Sequence, residues 1–283
     1  MSIKTVGVIG AGTMGNGIAQ VCAMAGLKVI MQDIADAPLQ QGLETIAGSL
    51  DRMIKKDKIS EDDKQNALSK ITTATALDAL ADVDIVIEAA TENESLKLQI
   101  FEQLDQICRK DAILASNTSS ISLTRIAGAT KSAERVIGMH FMNPVPMMVL
   151  VEIIRALQTS DETCSQVHRL AEHIGKVPVE AKDSPGFVGN RILIPMINEA
   201  IFTLHEGIAS AEAIDEVMKL GMAHPMGPLA LADLIGLDTC LSVIRVLHQG
   251  FGDSKYRPCV LLEQMVDAGY LGRKSGRGFF RYD

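Results

Sequence analysis

His140 is the histidine of this chain with a chemical setting. It lies in the apolar run Val136–Phe141 and leads into a proline-stiffened segment, Met142-Asn143-Pro144-Val145-Pro146. His168, His173, His205 and His248 fall in helical patterns and His224 in a turn, where structural or exposed roles are the default. A lone histidine is structural more often than catalytic, but Glu152 changes that weighing. It lies inside Val149-Leu150-Val151-Glu152-Ile153-Ile154, and a carboxylate buried in such a run is costly unless it is paired. An imidazolium is a suitable partner, because the carboxylate fixes the ring tautomer and stabilises its charged form. The other reading of Glu152 is an exposed acid at a strand end. Imidazole, with an ordinary pKa of about 6.5, suits taking the proton of a hydroxyl whose carbon loses hydride.

Two further sets of polar residues could hold a substrate. Ser116-Asn117-Thr118-Ser119-Ser120 follows the apolar strand pattern Ala112-Ile113-Leu114-Ala115, which places it at the carboxyl edge of a sheet, where open α/β folds bind ligands. Ser120 or Ser122 could equally serve only as helix N-caps. Asn190, after Asp183-Ser184-Pro185-Gly186-Phe187, is positioned to donate its amide to a substrate oxygen. A solvent-facing Asn190 is the alternative.

These groups need a hydride carrier, and the N-terminus supplies the pattern for one. Val6-Gly7-Val8-Ile9 breaks into Gly10-Ala11-Gly12-Thr13-Met14-Gly15, a strand-to-helix turn that receives a dinucleotide pyrophosphate. Gly10 permits the turn, Gly12 lets the backbone approach phosphate, and Gly15 lets the next helix pack on the strand. Alone the glycine pattern is weak. A helical stripe of Ile18, Val21, Cys22 and Ala25, then Gly26 and the strand Leu27-Lys28-Val29-Ile30-Met31, strengthen it. Asp33 stands 33 − 15 = 18 residues past the last glycine, close to the ~20 expected for a carboxylate on the adenosine ribose hydroxyls. That carboxylate favours NAD over NADP. Taken alone, Asp33 would read as a solvated acid or a helix cap.

Length and composition narrow the classes. At 283 residues and 47% hydrophobic content the chain supports two moderate cores. No apolar stretch approaches a membrane span and no signal peptide is evident, so a soluble, cytoplasmic protein is expected. Cys22, Cys108, Cys164, Cys240 and Cys259 are scattered without a C-x-x-C pair, which argues against disulfides and against a metal site. A net charge of −8 excludes a general nucleic-acid binder. Local positive charge occurs at Arg52, Lys55, Lys56 and Lys58, readable as a solvated helix end.

The elements that must position these residues alternate. Leu39, Leu43, Ile46, Leu50, Met53 and Ile54 repeat at helical spacing and Ser60 is a candidate N-cap, so residues 36–70 read as a helical hairpin inserted in an α/β unit. Strands at 71–73, 84–89, 112–115, 136–141, 148–154 and 177–179, with helices at 94–109 and 159–174, describe an N-terminal doubly wound sheet of Rossmann type. From Phe187 onward helical periods take over, at 187–206, 211–220, 228–236, 238–250 and 258–268. The expected domains are thus 1–184, binding the dinucleotide, and an all-α C-terminal domain, 185–283, whose wide apolar face suggests a homodimer.

Taken together, these motifs resemble the short-chain L-3-hydroxyacyl-CoA dehydrogenase family over nearly the whole chain. The resemblance is carried by G-A-G-T-M-G-x-G-I-A at 10–19, A-S-N-T-S-S at 115–120, H-F-M-N-P-V-P at 140–146, D-S-P-G-F-V-G-N-R at 183–191, H-P-M-G-P at 224–228 and G-R-K-S-G-R-G-F-F at 272–280. It implies NAD-dependent interconversion of (S)-3-hydroxybutyryl-CoA, or another short 3-hydroxyacyl-CoA, with the 3-ketoacyl-CoA. It further implies His140 as acid/base, Glu152 as its partner, and Ser119 and Asn190 as substrate-orienting residues. Glu92, Lys97, Ser119, Asn143 and Lys274 match cofactor contacts alongside Asp33, and Ser49 and Lys56 match contacts to CoA. CoA phosphates then give the basic helix end a purpose. Met142 replaces a second Phe of many relatives, a change to packing beside the loop. A dehydrogenase of a free hydroxy acid or sugar acid, and a non-catalytic dinucleotide-binding protein, are the competing readings.

Overall fold

The apolar run at the N-terminus forms β1 (Thr5–Ile9), whose inner residues are buried, and the glycine turn opens α1 (Thr13–Met24). In the computed structural model, which describes residues 3–282, β2 (Lys28–Gln32) follows, then the inserted hairpin α2 (Asp36–Ile54) and α3 (Glu61–Ser69). Ser60 caps α3 in a capping box with Asp63, each side chain taking up the other residue's backbone N–H, an arrangement that satisfies two otherwise orphaned donors. The chain continues through β3 (Ile71–Ala74), β4 (Ile85–Glu88), α4 (Glu94–Ile107), β5 (Ile113–Ser116), α5 (Leu123–Gly128), β6 (Val136–Phe141), β7 (Leu150–Arg155), α6 (Asp161–His173) and β8 (Val177–Lys182).

Among the described residues the strands form one sheet in the order β3-β2-β1-β4-β5-β6-β7-β8. From β3 to β6 every pairing is parallel, which brings the carboxyl ends of β1, β4, β5 and β6 to one edge. β7 runs antiparallel to β6, and β8 parallel to β7. The sequence reading gave no such reversal, although the short 142–149 connection required it: parallel neighbours need a crossover of a dozen or more residues. Strand β7 also begins at Leu150, not Met148, because the Met147 and Met148 amides bond to the Pro144 carbonyl in a turn. The short α5 is capped by Ser122, one of the two serines read as a possible helix N-cap, and the Ser122 hydroxyl accepts the Arg125 amide.

The chain forms two compact units, residues 1–183 and 184–283. The first unit buries both faces of the central strands β4, β5 and β6, while β8 at the edge stays open, and Ile18 and Cys22 of α1 and Ile46 and Leu50 of α2 join one cluster with Val6, Val29 and Met31. The second holds α7 (Gly189–His205), α8 (Ala211–Gly221), α9 (Pro228–Ile235), α10 (Leu237–Phe251) and α11 (Val260–Asp267). They pack around Ile194, Ile197, Ile201, Leu229, Leu237, Ile244 and Leu247. Two buried carboxylates organise that unit. Asp215 accepts the Leu229 and Ala230 amides at the start of α9, and Asp233 accepts the Phe279 and Phe280 amides and the Tyr282 hydroxyl of the C-terminal segment.

Gly15 tests the packing of α1 on β1. A Cβ there would stand 1.7 Å from the Gly10 carbonyl oxygen, which is backbone and cannot swing away, whereas one at Gly48 of α2 would meet only the tip of Arg52 at 3.7 Å. Helical Gly→Ala ordinarily stabilises by about 0.5–1 kcal/mol. We expect Gly48→Ala to raise the thermal unfolding midpoint and Gly15→Ala to lower it; equal effects at both sites would show that α1 can shift off the strand.

Candidate active site

Antiparallel pairing of β6 and β7 sets His140 directly opposite Glu152, so both side chains project from the same face of the sheet. Their contact is Nδ1 to Oε2 at 2.7 Å, with side chains 10% and 3% exposed. A carboxylate on Nδ1 keeps the proton on that nitrogen and directs exchange to Nε2. The backbone beside this pair is pinned as well: the Phe141 amide donates to Asn117 Oδ1 at 2.9 Å, and the Asn117 amide to the Glu88 carbonyl. Asn143, exposed and followed by the cis peptide to Pro144, leaves the end of β6 two residues later.

A second network joins the ends of β4 and β5. Glu92 accepts from the Thr118 hydroxyl at 2.5 Å, from the Ser119 and Ser120 amides at 3.0 and 3.1 Å, and from the Ser120 hydroxyl at 2.7 Å. The Ser119 hydroxyl is 3.4 Å from the same oxygen and half-buried. Burial alone would raise the Glu92 carboxyl, but the Thr118 hydrogen bond, the Lys97 charge, the Ser120 hydroxyl and the Ser119 amide outweigh it and hold Glu92 below the usual range. Beneath it, Lys97 is 1% exposed and ion-paired with the fully buried Glu88, and it also donates to the Ala90 carbonyl at 3.1 Å and faces Glu92 at 3.5 Å. Its three protons are therefore directed at protein acceptors. The Ser116 hydroxyl takes the other Glu88 oxygen at 2.6 Å. Glu88 was not singled out in the sequence, and Asn117 and Thr118 only as members of the polar run 116–120. Glu88 carried a signal, an acid ending a strand buried on both faces, of the same kind that exposed Glu152.

The glycine turn has the form required for a dinucleotide. Gly10 adopts φ +92, a left-handed conformation, and a Cβ on Gly12 would meet nothing within 4 Å. No side chain caps α1, so its first-turn amides, at Thr13, Met14 and Gly15, are available to an anion. Asp33 accepts the Ala11 amide at 2.8 Å and the Ile34 amide at 2.7 Å. That leaves lone pairs for a diol. It lines a cavity of about 470 Å³ together with Gly10, Gly12, Ile34, Pro38, Leu77 and Ile100, whose apolar walls suit an adenine ring. These residues fit NAD.

The remaining candidates are spread more widely. Ser49 is half-buried in α2 and Lys56 is exposed just beyond it. In the second unit Asn190 is half-buried in the first turn of α7, and Lys274 is held by both oxygens of Asp238 at 2.5 and 2.7 Å. One further cluster has metal-ligand chemistry: Cys164, His168 and Glu180 bring three donor atoms within 4.8 Å of one another. Glu180 is already shared by the Cys164 thiol at 3.3 Å and the Arg155 guanidinium at 3.6 Å. Burial, with Glu180 beside it, pushes that thiol up to about 11, so a cation would have to displace both a guanidinium and a tightly held proton.

Comparison with known proteins supplies the family. The description "3-hydroxyacyl-CoA dehydrogenase, NAD binding domain" matches residues 5–184, and "3-hydroxyacyl-CoA dehydrogenase, C-terminal domain" matches residues 186–282. The chain is 56% identical over 283 residues to a probable 3-hydroxybutyryl-CoA dehydrogenase of Bacillus subtilis, covering 100% of this chain and 99% of that protein. It is 55% identical over 280 residues to a 3-hydroxybutyryl-CoA dehydrogenase of Bradyrhizobium diazoefficiens, covering 99% and 96%. Among solved structures, (S)-3-hydroxybutyryl-CoA dehydrogenase from Ralstonia eutropha superimposes with a TM-score of 0.97 at 60% identity, over 100% of both chains.

The state of Glu92 makes a pH prediction. Its carboxyl is lowered in the folded chain, so its contribution to stability is fully present above the ordinary glutamate value of about 4.3 and disappears as pH falls through the lowered value. Urea unfolding at a series of pH values should show Glu92→Gln less stable than wild type near neutrality, with the gap closing on acidification. A gap that does not change with pH would mean the hydrogen bonds hold the glutamine equally well.

Proposed function

The chain belongs to the 3-hydroxyacyl-CoA dehydrogenase family, and from that premise we propose that it oxidises (S)-3-hydroxybutyryl-CoA, or a closely related short acyl-CoA, to the 3-ketoacyl-CoA with NAD, and catalyses the reverse. The carrying observation is the buried His140–Glu152 pair at the sheet edge shared with the glycine turn. NAD, when bound, supplies the hydride acceptor. His140 removes the hydroxyl proton through Nε2, and Glu152 stabilises the imidazolium that results. Ser119 and Asn190 hydrogen-bond to the reacting oxygen, whose charge changes most along the reaction. In reduction His140 returns the proton.

The amides at Thr13, Met14 and Gly15 take the pyrophosphate and Asp33 the ribose hydroxyls. Glu92, Ser119, Asn143 and Lys274 complete the cofactor contacts in this reading. Lys97, with its protons already committed, contributes by holding the 88–92 segment and Glu92. Ser49 and Lys56 meet CoA, the lysine pairing with a phosphate. The five buried thiols suit a reducing compartment and support a cytoplasmic enzyme. Among the described residues no helix is long and apolar enough to cross a membrane.

Initial rates with acetoacetyl-CoA, with NADH and NADPH in parallel, and again with free acetoacetate, test the reading. We expect NADH-dependent turnover of the CoA ester. Turnover of only the free acid would replace the substrate class and remove the role of Lys56, and no turnover with either would favour a binding protein. His140→Gln should lose about 10²–10⁴-fold in kcat while NADH titration stays normal. Lys56→Ala should raise KM for the CoA ester more than for NADH.

A homodimer through the helical unit belongs to the same proposal. Ile192 of α7, Val217 and Leu220 of α8 and Met222 beyond it are 66%, 60%, 79% and 61% exposed, more apolar surface than a small helical unit ordinarily leaves in water. Sedimentation velocity should give a dimer for the wild-type chain and a monomer-shifted equilibrium for Ile192→Glu. A monomeric wild type would leave that surface without its proposed partner.

A further inference from the structure

Lys176 is a buried titratable group with no part in the reaction as described. It follows Gly175 at the end of α6, is 7% exposed, and donates to the main-chain oxygens of Val145 at 2.5 Å and Met148 at 2.8 Å. Both bonds end on neutral carbonyls. Burial holds its ammonium below the ordinary lysine range. The neighbouring Cys22 thiol of α1, pushed up to about 12 by burial, stays neutral and offers little counter-charge. A cation kept at that cost needs compensation, and charge-assisted bonds to two carbonyls provide it.

Those carbonyls belong to the 142–149 segment, which leaves His140's strand and returns as Glu152's. Its inner side is closely fitted: Val145 is 2% exposed, and a Cβ on Gly17 of α1 would come within 2.8 Å of the Val145 Cβ. Its outer side carries the exposed Asn143 and Met147. The Met147 and Met148 amides close the turn on Pro144, while Lys176 takes the carbonyls of Val145 and Met148, the first of them buried and otherwise without a hydrogen-bond donor among the described residues. One ammonium, beside Cys22 of α1, thus links the end of α6 to the turn between the two strands that carry His140 and Glu152.

We propose that Lys176 is a positioning residue for the reaction: its ammonium fixes the 142–149 segment, so that Asn143 meets the cofactor in a single geometry and His140 and Glu152 keep their register. The inference rests on the dehydrogenase reading. Lys176→Met keeps the stem and loses the donors, and Lys176→Arg keeps charge and donors. In the acetoacetyl-CoA assay we expect Lys176→Met to lose about tenfold or more in kcat, the scale of a modest misalignment, with a raised KM for NADH. The shape of its kcat–pH profile stays as in wild type, and Lys176→Arg recovers part of both losses. Wild-type kcat and NADH KM in folded Lys176→Met overturn the proposal, as does a lowered unfolding midpoint with unchanged kinetics. Should the methionine variant not fold, Lys176→Gln, with a neutral donor in place of the ammonium, is read the same way. An inactive wild-type chain would instead overturn the dehydrogenase reading and this proposal together.

Discussion

The site depends on one register, His140 opposite Glu152 across an antiparallel strand pair. A one-residue slip would turn every side chain of one strand to the other face, sending the carboxylate away from the imidazole. Chain length enforces the pairing direction, since the connection is far too short for a parallel crossover. Parallel strands bring the glycine turn and the 88–92 and 117–120 segments to the carboxyl edge, and the reversal at β7 then adds a carboxylate to the histidine that ends β6. The sheet reverses at the place where the imidazole meets its carboxylate.

Energetically this edge carries an unusual load of buried charge. Glu88 and Lys97 are 0% and 1% exposed, and such a pair gains little over apolar packing, whereas removing either partner alone typically costs about 3–5 kcal/mol. The pair therefore makes the 88–92 segment hard to rearrange more than it makes the chain stable. Glu92 extends that order to Thr118, Ser119 and Ser120, so the Ser119 hydroxyl is placed by contacts made largely through its neighbours. Preorganisation of this kind is what a site needs when charge on one oxygen changes during reaction.

Much of the fold was legible because it rests on periodicity. Helices α2 and α8 and strand β6 follow apolar spacings that tertiary contacts did not overrule, and the Rossmann-type order followed from strands alternating with helices. The reversal of β7 could also have been found, from the length of the connection. At the site, His140 and Glu152 were legible because an acid inside an apolar strand demands a partner. Glu88 obeys the same rule but ends its strand, and it escaped. Lys97 was named as a cofactor contact through the family resemblance alone, and the sequence cannot show that its ammonium faces Glu88, Ala90 and Glu92. Asn117 was named only within a polar run, and its structural part could not be read, because a side chain bonding one backbone amide of another strand leaves no periodic trace.

Three buried cations then share one structural logic. Arg135, 4% exposed, donates to the carbonyls of Arg109 and Ala112 just before β5. Lys97 takes the Ala90 carbonyl beyond β4, and Lys176 the Val145 and Met148 carbonyls beyond β6. Each lies where the chain leaves or enters a strand and backbone carbonyls lose their ladder partners, yet burial denies them water. A long side chain carrying several donors reaches such carbonyls, at Arg109 alongside the Ala112 amide and at the others as the side-chain donor. Two of the three, Arg135 and Lys97, also have a carboxylate partner, Asp105 and Glu88. At Lys176 only carbonyls receive the hydrogen bonds, so the geometry of its turn depends on that one ammonium more than the other two connections depend on theirs.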